Sequence, residues 1–356
     1  MAMKITILWS RLASYTHGFF RALAHRGARL QLFYRETMHR EAPYAGFDLG
    51  CFEQAHLAND GLPIEKLCRD FRPDLCLMTS WNYGNYRRLC RALRRQGVTV
   101  VSATDNQWLG TLRQRLGVLA APFLLHPAIN AMIVPGDRQA AFMRRLGFKH
   151  IVTGLYAVDH EIFRSDVPVK DRHRAFLFLG RLVETKGFHI LIEAYRRYRL
   201  VSPGPWELHV AGTGPLAKLC ESVEGVSWMG FVQVQELPSF LNGYRCMILP
   251  SLFEPWGVVV HEAVLSGLAV ITSVACGAGA VFVRHGYNGF ISAVTPDELC
   301  HYMLRLEALT ATNWQEFSAR SVRLGQSWTL KDLTDLFVDE FIQPRCESRL
   351  AFTSTI

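Results

Sequence analysis

A short apolar strand followed by a helix recurs through the first half of the chain, halts at a polar stretch, and begins again in the second half. This repeated alternation constrains the fold more than any other feature. Lys4 to Leu8, Leu30 to Tyr34, Leu75 to Met78, Val98 to Ser102 and Ala131 to Val134 read as strands, with helix-length segments such as Leu12 to Arg26 and Tyr83 to Gln96 between them. The polar, Pro168-containing stretch Val167 to Arg174 reads as a linker. Beyond it strands are expected at Ala175 to Leu179, Glu207 to Ala211, Val226 to Trp228, Cys246 to Leu249 and Ala269 to Thr272, and helices at Phe188 to Tyr198, Val258 to Ser266 and Pro296 to Leu306. Strands that alternate with helices form parallel sheets covered on both faces. The expected organisation is therefore α/β: a Rossmann-like domain over 1–166, a second over 167–327, and a helix and tail over 328–356 able to pack back on the first domain. A length of 356 residues suits two cores better than one.

Charge divides the halves. Residues 1–160 carry 21 Lys and Arg against 11 Asp and Glu, and the remainder carries 18 against 20. The first half, at +10, is suited either to an anionic lipid surface, acceptor or nucleic acid, or to nothing more than a solvated Arg-rich surface. The start of the chain shows no secretory leader pattern, so a cytoplasmic location is expected. The nine cysteines lack metal-ligand spacing and read as reduced, buried thiols. Leu116 to Val134 is apolar, but Pro122, His126, Pro127 and Asn130 interrupt it, so a buried helix and strand are expected rather than a membrane span, with a membrane-touching face of the first domain as the alternative.

The chemistry concentrates in Pro250 to Gly267, PSLFEPWGVVVHEAVLSG. A strand ends there, Glu254 sits in a turn, and Glu262 lies one turn into the next helix. Both carboxylates and the turn's free N–H groups are expected to face the crevice at the strand ends, where α/β proteins bind ligands and a helix N-terminus favours a phosphate. Competing signatures fail: Leu265 stands where a zinc-binding HExxH pattern would put its second histidine, and Gly212, Gly214 and Ala217 fit G-x-G-x-x-A only in mid-chain.

The two glutamates and their surroundings resemble the E-x7-E signature of retaining family-four glycosyltransferases, which have the GT-B fold. The resemblance extends in the family's order through FLFLGRLVETKG at Phe176 to Gly187, HVAGTGPL at His209 to Leu216, and HGYNGF at His285 to Phe290. It implies a hexosyltransferase drawing on a UDP- or GDP-linked sugar. Arg181 and Lys186 would hold the donor diphosphate, Glu254 would contact the donor sugar, and Glu262 would accept from the ribose hydroxyls. Gly257 and Val258 would offer backbone amides, and Gly180 and Gly212 would border the donor. Gly277 to Gly279 resembles the small-residue loop beside it. No D-x-D, the metal-holding pair of the other main glycosyltransferase fold, occurs, so no metal and no cofactor are expected.

The resemblance thins in the first half. Trp9, Ser10 and Arg11 stand where the family often has a glycine pair, Thr104, Asp105 and Asn106 where it has a histidine, and Tyr156-Ala157 where it has Asn-Gly. Asp105, His17 and Trp81 are the acceptor-side candidates. The expected acceptor is a glycan or lipid-linked glycan of polysaccharide or lipopolysaccharide synthesis, met at the inner membrane face through Arg87, Arg88, Arg91, Arg94 and Arg95; nucleic acid is not expected as a partner. The alternatives are a GT-B sugar-nucleotide epimerase and a non-catalytic GT-B partner subunit.

Overall fold

The computed structural model describes residues 2–35, 47–58 and 62–342. Cys346 and the rest of the tail lie outside the described residues. The first sheet has seven parallel strands: β1 (Lys4–Trp9), β2 (Arg29–Tyr34), β3 (Gln54–Leu57), β4 (Leu75–Met78), β5 (Thr99–Ala103), β6 (Ala131–Val134) and β7 (Ile151–Thr153), in the order β3-β2-β1-β4-β5-β6-β7. The second has six: β8 (His173–Leu179), β9 (Glu207–Ala211), β10 (Val226–Gly230), β11 (Tyr244–Leu249), β12 (Ala269–Ser273) and β13 (Gly289–Ser292), in the order β10-β9-β8-β11-β12-β13. Alternation along a strand explains why both sheets are buried on two sides. In β4, Leu75 and Leu77 enter one core while Cys76 and Met78 enter the other.

The helices are α1 (Ser14–His25), α2 (Ile64–Phe71), α3 (Gly84–Arg95), α4 (Leu112–Leu124) and α5 (Asp137–Arg145) in the first half. The second half adds α6 (Phe188–Val201), α7 (Leu237–Asn242), α8 (Val258–Leu265), α9 (Gly277–Phe282), α10 (Pro296–Glu307), α11 (Ala311–Gly325) and α12 (Leu330–Phe337). After α11 the chain crosses back. Trp328 donates its Nε1 hydrogen to the Gly154 carbonyl at 3.2 Å, the Phe337 ring meets Phe19 edge-on with centroids 5.3 Å apart, and Asp335 pairs with Arg26. The segment after α11 thus belongs to the first core.

Three expectations need correction. The strands β3, β7 and β13 escape the sequence reading because, unlike the equally short but wholly apolar β4 and β6, they mix apolar residues with polar ones or glycine and leave no continuous apolar run. The linker Val167 to Arg174 ends two residues sooner than expected, because β8 begins at His173, and it is anchored by buried Arg172, which donates to the carbonyls of Val167, Tyr244 and Ser266. Most consequentially, α4 is not buried: only Ala121 is, while Leu112, Leu116, Leu119 and Phe123 are 57–76% exposed. The strand half of that expectation stands, because every residue of β6 is buried. Among the described residues no helix is long and apolar enough to cross a membrane.

Candidate active site

In each sheet the strand order reverses once, between β1 and β4 in the first and between β8 and β11 in the second. Connections leave opposite faces at such a point, opening a crevice beyond the strands' C-terminal ends. The two crevices face each other across a cleft of about 570 Å³. Gly180 and Arg181 follow β8, Gly212 follows β9, Glu254 follows β11, and Val258 and Glu262 lie on α8; all of them line the cleft, as do Lys186 and Gly257. Asp105, after β5, lines it from the first domain.

Backbone packing fixes the donor-side wall. A Cβ on Gly212 would come within 1.9 Å of the Gly180 carbonyl oxygen, so the loops after β8 and β9 can touch only with glycine there. The Thr185 carbonyl accepts the N–H groups of Leu252 and Phe253 at 2.9 and 3.1 Å, stitching the Lys186 turn to the Glu254 turn. Lys186 and Glu254, both largely buried, form an ion pair, and Ser251 Oγ donates to Glu254 Oε2 at 3.3 Å. Gly257 then starts α8 with φ of 91°; a Cβ there would sit 2.9 Å from both Cys276 Sγ and Glu254 Cγ. No side chain caps α8; the Val260 N–H is taken by the Gly257 carbonyl at 3.0 Å, which leaves the Val258 and Val259 N–H groups at the cleft for a ligand. The N-terminus of α1 faces the same cleft through Ser14 and Tyr15, and its N-cap, Ala13, has no side-chain acceptor to offer. Two helix N-termini and three cations, Arg11, Arg181 and Lys186, therefore converge on one space, an arrangement suited to a diphosphate.

Glu262 differs from Glu254. It is 6% exposed, and burial alone pushes its carboxyl up to about 7. A desolvated carboxylate without a local donor is satisfied by hydroxyls that a ligand brings. It also borders a second cavity of about 450 Å³ between α1 and α12. Its neighbour His261 points the other way, stacked on Phe282 with ring centroids 4.0 Å apart and its Nε2 2.8 Å from the Gly325 carbonyl. On the facing wall, burial raises the Asp105 carboxyl, the Tyr156 hydroxyl donates to it at 3.3 Å, and the Glu254 charge adds to the rise. Tyr156 in turn meets Tyr15 edge-on at 5.0 Å.

Several expectations fall outside the cleft. His17 is turned into the first core, its Nε2 2.6 Å from the Asp48 carbonyl, and burial lowers its pKa. Trp81 packs against the core beside α3, and its carbonyl accepts from Arg87. Neither lines the cleft. Gly277 to Gly279, expected as a loop, is instead the first turn of α9 and does not line it either: a Cβ on Gly277 would meet the Pro255 carbonyl at 2.5 Å, so this small-residue turn buttresses the Glu254 turn from behind. After Gly212 and Gly214 comes a short 3₁₀ turn, Ala217–Ser222, instead of the α-helix that a dinucleotide motif requires. Conversely, Ser14, Tyr15 and Tyr156 line the cleft although the sequence does not single them out as site residues. For Ser14 and Tyr15 a signal exists, because they follow β1 as Glu254 follows β11.

Two Rossmann-like domains facing across a cleft, with the anion-binding features on the C-terminal side, constitute the GT-B fold, the architecture of a large class of glycosyltransferases. Residues 173–308 match the family described as Glycosyl transferases group 1. An uncharacterised glycosyltransferase of Methanocaldococcus jannaschii is 28% identical over 145 residues, 38% of this chain and 36% of that protein. A putative colanic acid biosynthesis glycosyltransferase of Salmonella typhimurium is 28% identical over 128 residues, 32% of this chain and 30% of that protein. The match thus spans only about a third of the length of either relative. Anabaena HepE, solved in complex with UDP and glucose, superposes with a TM-score of 0.74 at 16% identity, over 95% of this chain and 98% of that one. The shared fold spans both domains, whereas the family match lies in the second domain.

Proposed function

We propose that the protein is a retaining glycosyltransferase that moves a hexose-type sugar from a nucleotide diphosphate sugar to a glycan or lipid-linked acceptor of cell-surface polysaccharide or lipopolysaccharide synthesis. The observation that carries this reading is the convergence of Glu254, Lys186, Arg181, Glu262 and the first turn of α8 on one cleft. Arg181, Lys186 and the α8 amides hold the diphosphate. As the glycosidic bond breaks, charge on the leaving group grows, and these fixed donors stabilise it more than the ground state. Lys186 then exchanges part of its contact with Glu254 for a phosphate oxygen, and Glu254 turns to the sugar. Glu262 accepts from the ribose hydroxyls. The acceptor enters over Asp105, and a phosphate oxygen of the departing diphosphate takes its proton on the face that the leaving group vacates. UDP is favoured over GDP by the UDP-bound HepE neighbour, and polysaccharide synthesis by the colanic acid relative. No metal is assigned a role.

The test is to incubate the protein with UDP-glucose and related donors, with and without glycan and lipid extracts, and to follow UDP release and the anomeric configuration of the product. Acceptor-dependent release with retention is expected. Isomerised donor without acceptor would establish the epimerase reading, and UDP binding without turnover on any extract the partner-subunit reading.

A further inference from the structure

The exposed helix α4 differs from the other helices among the described residues in having an apolar stripe that no core receives. Leu112, Leu116, Leu119 and Phe123, spaced by four, three and four residues, share about 60° of helical arc. Such a stripe normally packs inward, and here it points to solvent with exposures of 73, 57, 72 and 76%. With Leu109 and Leu124, it gathers six of the seventeen large apolar side chains exposed among the described residues. Exposed Arg113 and Arg115 flank the stripe, one on each side.

This helix is held rigidly in its outward setting. Thr111 caps its start through the Gln114 N–H at 3.3 Å, and the Gln114 side chain grips the preceding loop at Leu109 and Gln107. At its other end Arg91 donates to the carbonyls of Phe123 and Leu124 at 2.9 and 3.2 Å, and Arg94 to that of His126. The arginine row of α3 is therefore not the free basic face expected from sequence. Arg91 and Arg94 fasten α4, and Arg88 pairs with Glu65 at 3.3 Å.

We propose that α4 is the docking element for an anionic lipid bilayer: its leucines and Phe123 enter the headgroup layer while Arg113 and Arg115 reach lipid phosphates on either side. Charge selects this occupant. Residues 84–126 contain seven arginines and a single acidic residue, Asp105, which faces the cleft. A second copy seated on the same face would oppose arginine to arginine, whereas an anionic surface neutralises them. Any bearing on a lipid-borne acceptor rests on the glycosyltransferase reading, but the docking itself does not.

Sedimentation of the full chain with phosphatidylcholine vesicles, with and without phosphatidylglycerol, at low and high salt tests this without nucleotide. Binding to the anionic vesicles is expected to exceed that to the neutral ones by about tenfold or more and to fall with salt. Leu116→Glu with Leu119→Glu should abolish it, and Arg113→Gln with Arg115→Gln should weaken it about tenfold and make it less salt-dependent, with melting curves and UDP affinity unchanged. Independently, the emission that Phe123→Trp adds to that of the native tryptophans should shift to the blue when anionic vesicles are added. Equal partition of wild type and the leucine variant, or an added emission that does not shift, would overturn the proposal. So would a lipid-free dimer that the leucine substitutions dissociate, which would make the face an interface between copies.

Discussion

The two walls of the cleft are built by different means. On the C-terminal wall, position is set by backbone: Gly212 against Gly180, Gly257 starting α8, and the Thr185 carbonyl tying the Lys186 and Glu254 turns together. On the N-terminal wall, position is set by side chains: Asp105 held by Tyr156, and Tyr156 by Tyr15. A backbone-defined wall tolerates few residues at its glycines and suits a ligand part that is the same in every reaction. A side-chain-defined wall can be rebuilt residue by residue to suit a different ligand. On the proposed function, the diphosphate belongs to the first wall and acceptor choice to the second.

The largest effect expected is that of Lys186→Ala. It removes a cation from the diphosphate and leaves Glu254 buried without its partner, so turnover should fall by about 10²- to 10³-fold while UDP affinity changes much less. Parallel losses in kcat and in UDP affinity would reduce Lys186 to an ordinary binder and blur the distinction between the walls.

Next is Glu262. For Glu262→Ala, UDP affinity should fall by about ten- to a hundredfold, the equivalent of a charge-assisted hydrogen bond of about 1.5–3 kcal/mol. Wild-type affinity should weaken as pH drops through about 7, because the protonated carboxyl accepts poorly, and the alanine variant should lose this dependence. The stability effect has the opposite sign. A carboxyl raised from 4.5 to about 7 by burial favours the folded state below the unfolded pKa, and this contribution is lost as pH rises through 7. The advantage of Glu262→Gln over wild type should therefore grow by about 2–3 kcal/mol between about pH 5 and pH 8, read from denaturant midpoints at each pH. A pH-independent difference would mean that the carboxylate is already paired.

The same contrast explains what could be read from the sequence. Strand–helix alternation exposes both sheets, and Glu254, Lys186, Gly257 and Gly212 are legible because backbone constraints leave a fixed spacing behind. His17 and Trp81 mislead because proximity to a strand end does not say which way a side chain turns: His17 lies on the inward face of α1. The outward stripe of α4 reads as a core face because periodicity reports that apolar residues share a side, not what that side meets. Tyr156 leaves no signal, since it replaces the residue that the resemblance would have flagged.

Asp105→Asn tests the side-chain wall. It should raise the acceptor KM by several-fold to about tenfold and leave UDP affinity unchanged, since Asp105 approaches the cleft from the first domain alone. Calorimetric loss of UDP binding in this variant would break the division between the walls.

The smallest effect expected concerns the contact that joins them. Gln139, on α5 of the first domain and 1% exposed, donates its Nε2 hydrogen to the Pro255 carbonyl at 2.7 Å, and neighbouring Arg138 donates to the carbonyls of Val274 and Ala275 at 2.6 and 3.1 Å. Pro255 follows Glu254 directly, so this is where the first domain touches the turn that carries the site. If that turn is positioned chiefly by its own backbone, Gln139→Ala should cost about 1 kcal/mol of stability, the ordinary value of one hydrogen bond, and lower turnover less than about threefold. The glycine, Thr185 and Ser251 contacts remain in place in that variant and keep Glu254 beside Lys186. Substituting the exposed Arg138 by alanine should do less still. A loss of turnover in Gln139→Ala approaching that of Lys186→Ala, with UDP affinity intact, would show instead that the first domain sets the geometry of Glu254, and the two walls would have to be treated as one cooperative unit.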